Sequence, residues 1–237
     1  MSVAARATPT DARHNAALSG VRAVLFDLDG TLVDSAPDLA GAINDMRVAR
    51  GLGPHPLEYL RPMVGAGARG MVGCGFDVSP SDATFPALRD EFLLTYAARL
   101  TRETHVFEHM LPVLEALERI AIPWGIVTNK ATRFGDPLAR ALGLFPRAAT
   151  LICGDTTPHA KPHPAPLLEA ARRLAISPSE CVYVGDDLRD VVAGRAAGMR
   201  TIAVGWGYLG AAEPIGEWGA DHVANSPAEL LQFVLMA

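Results

Sequence analysis

Five short apolar runs, each closed by polar residues, constrain this chain more than any other feature: Arg22–Leu28, Pro123–Thr128, Thr150–Cys153, Cys181–Val184 and Arg200–Val204. Unbroken apolar runs of this length predict strands covered on both faces, as in a parallel sheet. Between them lie helix-period stretches over Leu111–Ala121, Ala131–Leu142, Ala165–Ala175 and Leu188–Gly198. Gly143 and Gly198 stand where helix C-caps fall. Repeated strand–helix–strand units predict an α/β chain with a doubly wound parallel sheet.

One segment breaks this rhythm. Residues 36–104 contain no buried-strand pattern, only helical ones over Pro37–Arg50, Pro56–Met63, Ala68–Cys74 and Phe85–Leu100. Pro54, Pro56, Gly65 and Gly67 punctuate them. The expected division is therefore a core of residues 21–35 and 105–237, interrupted by a helical insertion over 36–104. Residues 1–20 mix Arg6, Arg13, Asp11, Pro9 and small residues without an apolar stretch, which reads as a flexible leader and not a secretory signal.

Composition excludes several classes. A net charge of −5 argues against nucleic acid or an anionic membrane as partner. No run approaches the ~18 apolar residues of a membrane span. Three widely spaced cysteines, Cys74, Cys153 and Cys181, predict free thiols in a reducing cytoplasm.

The polar run ends carry the chemistry. In open α/β sheets, ligands bind at the carboxyl ends of the strands. Here those ends read Asp27-Leu28-Asp29-Gly30-Thr31, then Thr128-Asn129-Lys130, then Gly185-Asp186-Asp187 with Asp190 three residues on. Lys161 lies in Lys161-Pro-His-Pro164, between the third and fourth runs. Asp27 and Asp29, two apart at a strand end, point to one side. Clustered carboxylates repel unless a cation or a shared proton relieves them, and hard oxygen donors suit Mg²⁺. An ammonium and a hydroxyl facing the same point suit a phosphoryl group.

In this order, the motifs resemble those of the haloacid dehalogenase-like superfamily of phosphatases. The resemblance runs from about Arg22 to the C-terminus and implies a Rossmann-like core with an α-helical C1 cap. It implies Asp27 as nucleophile and metal ligand. Asp29 would be general acid and base, its main-chain carbonyl also on the metal. Asp186 completes the protein ligands to Mg²⁺. Thr128 and Asn129 would bind the phosphoryl oxygens, and Lys161 would balance charge. Asp187 and Asp190 would orient Lys161 or metal-bound water. Within the superfamily, Asp34-Ser35-Ala36-Pro37-Asp38 and Val64-Gly-Ala-Gly-Ala-Arg69 look like the phosphoglycolate phosphatase group. Pro123–Lys130 and Tyr183–Asp190 look closer to N-acetylmuramic acid 6-phosphate phosphatases. The implied substrate is a small carboxylate-bearing phosphomonoester, phosphoglycolate first, with N-acetylmuramic acid 6-phosphate or a sugar phosphomutase activity as alternatives. In the insertion, Arg69 on a glycine loop is the candidate for the carboxylate, and Arg61 a weaker one. A monomer or homodimer is expected.

Two features stand apart from the pattern. Many relatives carry a Tyr/Phe-Pro-Gly turn where this chain has Phe107-Glu108-His109-Met110, which leaves the return from the insertion open. Of 21 basic residues only Lys130 and Lys161 are lysines. In a chain this rich in arginine, each marks a place for a compact ammonium. Lys161 belongs to the phosphate site, whereas Lys130 marks the rim or a helix start.

Overall fold

The computed structural model describes residues 20–209 and 213–235. The leader expected over 1–20 therefore lies, save Gly20, outside the described residues. Six parallel strands form the central sheet: β1 (Ala23–Phe26), β4 (Trp124–Val127), β5 (Thr150–Ile152), β6 (Cys181–Gly185), β7 (Arg200–Val204) and β8 (His222–Ala224), in the order β5-β4-β1-β6-β7-β8. Five of them are the apolar runs. Their residues are almost all buried because helices cover both faces. The chain runs outward from β1 to β4 and β5, then returns to lay β6 on the other side of β1. This reversal opens a crevice at the carboxyl end of β1, where the polar run ends collect.

Four core helices follow the expected stretches closely: Leu111–Arg119, Thr132–Ala141, Ala165–Leu174 and Leu188–Ala196. The structure adds β8 and a last helix, Pro227–Leu235. A three-residue strand containing a histidine is too short to display a period, which is why the sequence pattern does not reveal it.

The helices of residues 36–104 stack on each other through Ile43, Met46, Leu60, Met71, Phe92 and Tyr96, and meet Phe134 and Tyr208 of the sheet-bearing part. The chain leaves and re-enters through an antiparallel pair, β2 (Val33–Asp34) and β3 (His105–Val106), in the register Val33↔Val106 and Asp34↔His105. Two-residue strands are likewise invisible to periodicity. The return at Phe107–Met110 is a 3₁₀ turn, with the Phe107 amide on the Leu32 carbonyl at 3.0 Å. His109 stacks on Phe107 and meets Trp206 edge-on.

Asp38, fully buried in the first turn of helix Ala36–Ala49, ties the two crossings together. Its Oδ2 accepts the amides of Glu103 (2.9 Å) and Thr104 (2.8 Å) and the Thr104 hydroxyl (2.7 Å), while Arg99 lies 3.5 Å from Oδ1. Asp38→Ala strands these donors and is expected to lower unfolding stability by about 2–4 kcal/mol. The urea midpoint reads this directly, and an unchanged midpoint would remove the linker role assigned to Asp38.

Candidate active site

The site assembles from five loops at the crevice. Asp27 follows β1, its amide on the Val184 carbonyl at 2.8 Å. Its Oδ1 accepts from Lys161 Nζ at 2.7 Å. Lys161 is buried and also reaches Asp190 Oδ1 (2.8 Å), the Val127 carbonyl (2.9 Å) and the Tyr183 hydroxyl (2.7 Å). That is a compact three-proton donor among clustered acceptors, a place a broad guanidinium does not fit. Burial opposes the Lys161 charge, but Asp190 and Asp27 outweigh it and hold its pKa above the ordinary lysine value.

Asp186 follows β6 and is held by neutral donors only. The Thr31 hydroxyl donates to Oδ1 (2.8 Å) and the Tyr208 amide to Oδ2 (2.7 Å). Burial, then the charges of Asp27 and Asp190, push its pKa well above the carboxylate range. Burial likewise pushes Asp27 up to about 7 despite Lys161. Carboxylate oxygens of Asp27, Asp186 and Asp190 lie within 4.8 Å of one another. One ammonium does not balance three ionised carboxylates, so Asp27 and Asp186 favour their protonated forms, and a bound cation can take the place of those protons. An all-oxygen donor set of this kind fits a hard divalent cation. Both Asp190 oxygens are already engaged, by Lys161 and Tyr183 on one and the Asp187 amide on the other. Asp27 and Asp186 retain more open donor capacity.

Asp29 turns its carboxylate away from that cluster. Its Oδ1 accepts from the Ser35 hydroxyl (2.6 Å), and Lys130 Nζ spans both oxygens at 2.9 and 3.0 Å. Lys130 also sits 5.0 Å from the centre of the Tyr96 ring. The second lysine thus belongs to the site, a pairing that sequence spacing does not display because Asp29 and Lys130 lie on different loops. Thr128 Oγ1 accepts the Lys130 amide at 3.1 Å, which leaves its proton free to donate. The Asn129 side chain brackets the Lys161 backbone with two bonds of 2.9 Å. It therefore shapes the lysine loop, and only its main-chain amide is available to a ligand.

Asp187 caps helix Leu188–Ala196 and takes the Arg189 guanidinium on both oxygens. Burial opposes its ionisation, and Arg189 outweighs that, holding its pKa below the usual value. Arg189 also donates to the Gly65 carbonyl, which links this loop to the helical insertion. Tyr183 and Tyr208 are site residues that the sequence motifs do not single out. The Tyr208 hydroxyl donates to Asp34 and accepts the amides of Ser35 and Ala36.

These groups floor a cavity of about 400 Å³. Its walls include Leu39, Val64, Phe92, Tyr96 and Phe134, with the Gly65–Ala68 loop at one edge. Arg69 is exposed and does not line it, and Arg61 is paired with Asp34 at 2.9 Å. The arginines that do line it are Arg133 and Arg189. Cys153 and Cys181 are buried, and burial pushes both thiols up to about 11, out of reactive range.

Clustered buried carboxylates, a buried ammonium and a hydroxyl at the crevice of this sheet order match the hydrolase class of α/β proteins that bind at the carboxyl ends of their strands. The chain belongs to the haloacid dehalogenase-like hydrolases, whose family model matches residues 21–198. It is 42% identical over 214 residues to the N-acetylmuramic acid 6-phosphate phosphatase of Pseudomonas putida, covering 90% of this chain and 96% of that protein. It is 45% identical over 213 residues to the phosphoglycolate phosphatase of Xanthomonas campestris pv. campestris, covering 88% and 94%. The crystal structure of a predicted phosphoglycolate phosphatase from Haemophilus somnus 129pt matches with a TM-score of 0.79 at 26% identity, over 91% of this chain and 98% of that one.

Proposed function

We propose that this chain is a Mg²⁺-dependent phosphomonoesterase that works through an aspartyl-phosphate on Asp27. The observation that carries the reading is the buried Asp27–Lys161 pair at the floor of the cavity, with Asp29 beside it on an independent lysine. Asp27 Oδ1 is engaged by Lys161, so Oδ2 attacks phosphorus in line. The bond to the leaving oxygen breaks as that to Asp27 forms. Asp29 delivers a proton to the departing alkoxide. It then takes one from the water that attacks the aspartyl-phosphate, freeing inorganic phosphate and restoring Asp27. Thr128 Oγ1 and the Asn129 amide donate to phosphoryl oxygens. Mg²⁺, held by Asp27, Asp186 and the Asp29 carbonyl, supplies positive charge against those oxygens when bound.

In this reading the helices of residues 36–104 act as a cap that closes the cavity against water. Phosphoglycolate is the first substrate to test. N-acetylmuramic acid 6-phosphate is the second, and the cavity volume favours it, since ligand pockets for larger molecules run from about 300 Å³ upward. Three free cysteines suit a cytoplasmic location.

The test is a kcat/KM panel of phosphate esters with Mg²⁺, run on wild type and Asp29→Asn. Loss of the acid is expected to cost about 10²–10³-fold on alkyl phosphates and much less on p-nitrophenyl phosphate, whose leaving group needs no proton. Equal losses on both would remove Asp29 as general acid. Phosphate release that requires a sugar bisphosphate would point to a phosphomutase instead.

A further inference from the structure

We infer that Arg133 is the receptor for a carboxylate on the leaving group, and that this group is a sugar-sized acid and not a two-carbon one. The inference rests on the phosphatase reading above and sharpens it to a substrate class.

The cavity has two poles. At one end Asp27, Thr128, Lys161 and Asp186 are all buried. Arg133, which lines the same cavity from the first turn of helix Thr132–Ala141, is exposed and so stands at the solvent end. A phosphate seated at the buried pole therefore places the rest of its ester along apolar walls and past the paired Lys130 and Arg189 before it reaches an unpaired guanidinium.

The two lining arginines differ in availability. Arg189 is already paired with Asp187, and its Nη2 also donates to the Gly65 carbonyl. Arg133 forms no ion pair or hydrogen bond among the described residues. Its guanidinium lies over the Phe134 ring at 4.7 Å, a cation–π contact that uses none of its N–H donors as hydrogen bonds. Asp155 lies within its electrostatic reach, but one oxygen of that carboxylate already takes the Thr132 amide and hydroxyl. A helix start adds to the preference for an anion there.

Between the poles the walls are apolar, with the Tyr96 ring, Phe92 and Phe134 among them. The cavity thus offers an apolar bed and one spare planar cation. The matching leaving group carries an apolar or acyl portion and a carboxylate remote from the phosphate. A two-carbon acid keeps its carboxylate next to the phosphate, at the buried end, whereas Arg133 stands at the exposed one.

The test compares N-acetylmuramic acid 6-phosphate with N-acetylglucosamine 6-phosphate, the same sugar without the lactyl carboxylate. The ratio of kcat/KM values is measured for wild type, Arg133→Met, Arg133→Lys and Arg69→Met. Wild type is expected to favour the carboxylated sugar. Arg133→Met should cut that ratio about tenfold, mostly through KM, and Arg133→Lys should restore part of it, since it keeps charge but not the fork. A ratio unmoved by Arg133→Met, moved more by Arg69→Met, or near unity in wild type overturns the assignment. Hydrolysis that survives Asp27→Asn overturns the phosphatase mechanism itself, and this inference with it.

Discussion

Asp27→Asn is expected to lower kcat by at least about 10⁴-fold on every phosphate ester the wild type hydrolyses. The substitution keeps the size of the side chain and an oxygen for Lys161, but an amide cannot form the aspartyl-phosphate. Stability should move the other way. Burial and the nearby Asp190 and Asp29 charges lift the Asp27 carboxyl to about 7 in the metal-free fold, against 3.8 when free. The folded state then binds the proton more tightly than the unfolded chain, so Asp27 costs stability progressively as pH rises from 3.8 to about 7. A neutral amide removes that cost. Thermal melts in EDTA at pH 7.5 are expected to show Asp27→Asn at least as stable as wild type. Turnover near the wild-type level would overturn the mechanism. A variant that is both inactive and unfolded would mean that Asp27 carries structural weight the geometry does not assign to it.

The position of a polar residue at the sheet edge is legible in the sequence where that residue closes an apolar run. Asp27, Thr128 and Asp186 directly follow strands long enough to announce themselves by apolar runs, and parallel strands deliver their carboxyl ends to one edge. Contacts that depend on side-chain reach across loops are not written in any period. Lys130 meets Asp29 from 101 positions away, and the Tyr208 hydroxyl meets Asp34 from 174. Arg69 shows the opposite case. A glycine loop before a helix is a genuine anion-binding pattern, yet Gly65–Ala68 line the cavity while the Arg69 side chain stands outside it. Arg133 carries no motif at all, because its availability follows from what its neighbours do with their own partners.

Lys161→Met is expected to separate the structural from the chemical part of the same pair. The ammonium is the cation that faces Asp27 and Asp190 together, and it also satisfies the Val127 carbonyl and the Tyr183 hydroxyl. Removing it leaves two buried carboxylates facing each other, at a cost of about 3–5 kcal/mol. For a chain of this size that is a fall in Tm of about 6–20 °C in EDTA. Mg²⁺ should narrow the deficit, since a divalent cation relieves part of the repulsion at Asp27. The double variant Lys161→Met with Asp190→Asn deletes the second carboxylate's charge and should recover much of the lost stability. It should recover little of the turnover, because the phosphoryl group still lacks its ammonium, a loss of about 10²–10³-fold or more by analogy with other charge-stabilising donors. A single variant that melts with wild type would show that Lys161 does not offset repulsion between the buried carboxylates. A double variant that regains turnover together with Tm would show that Lys161 acts only by holding the fold.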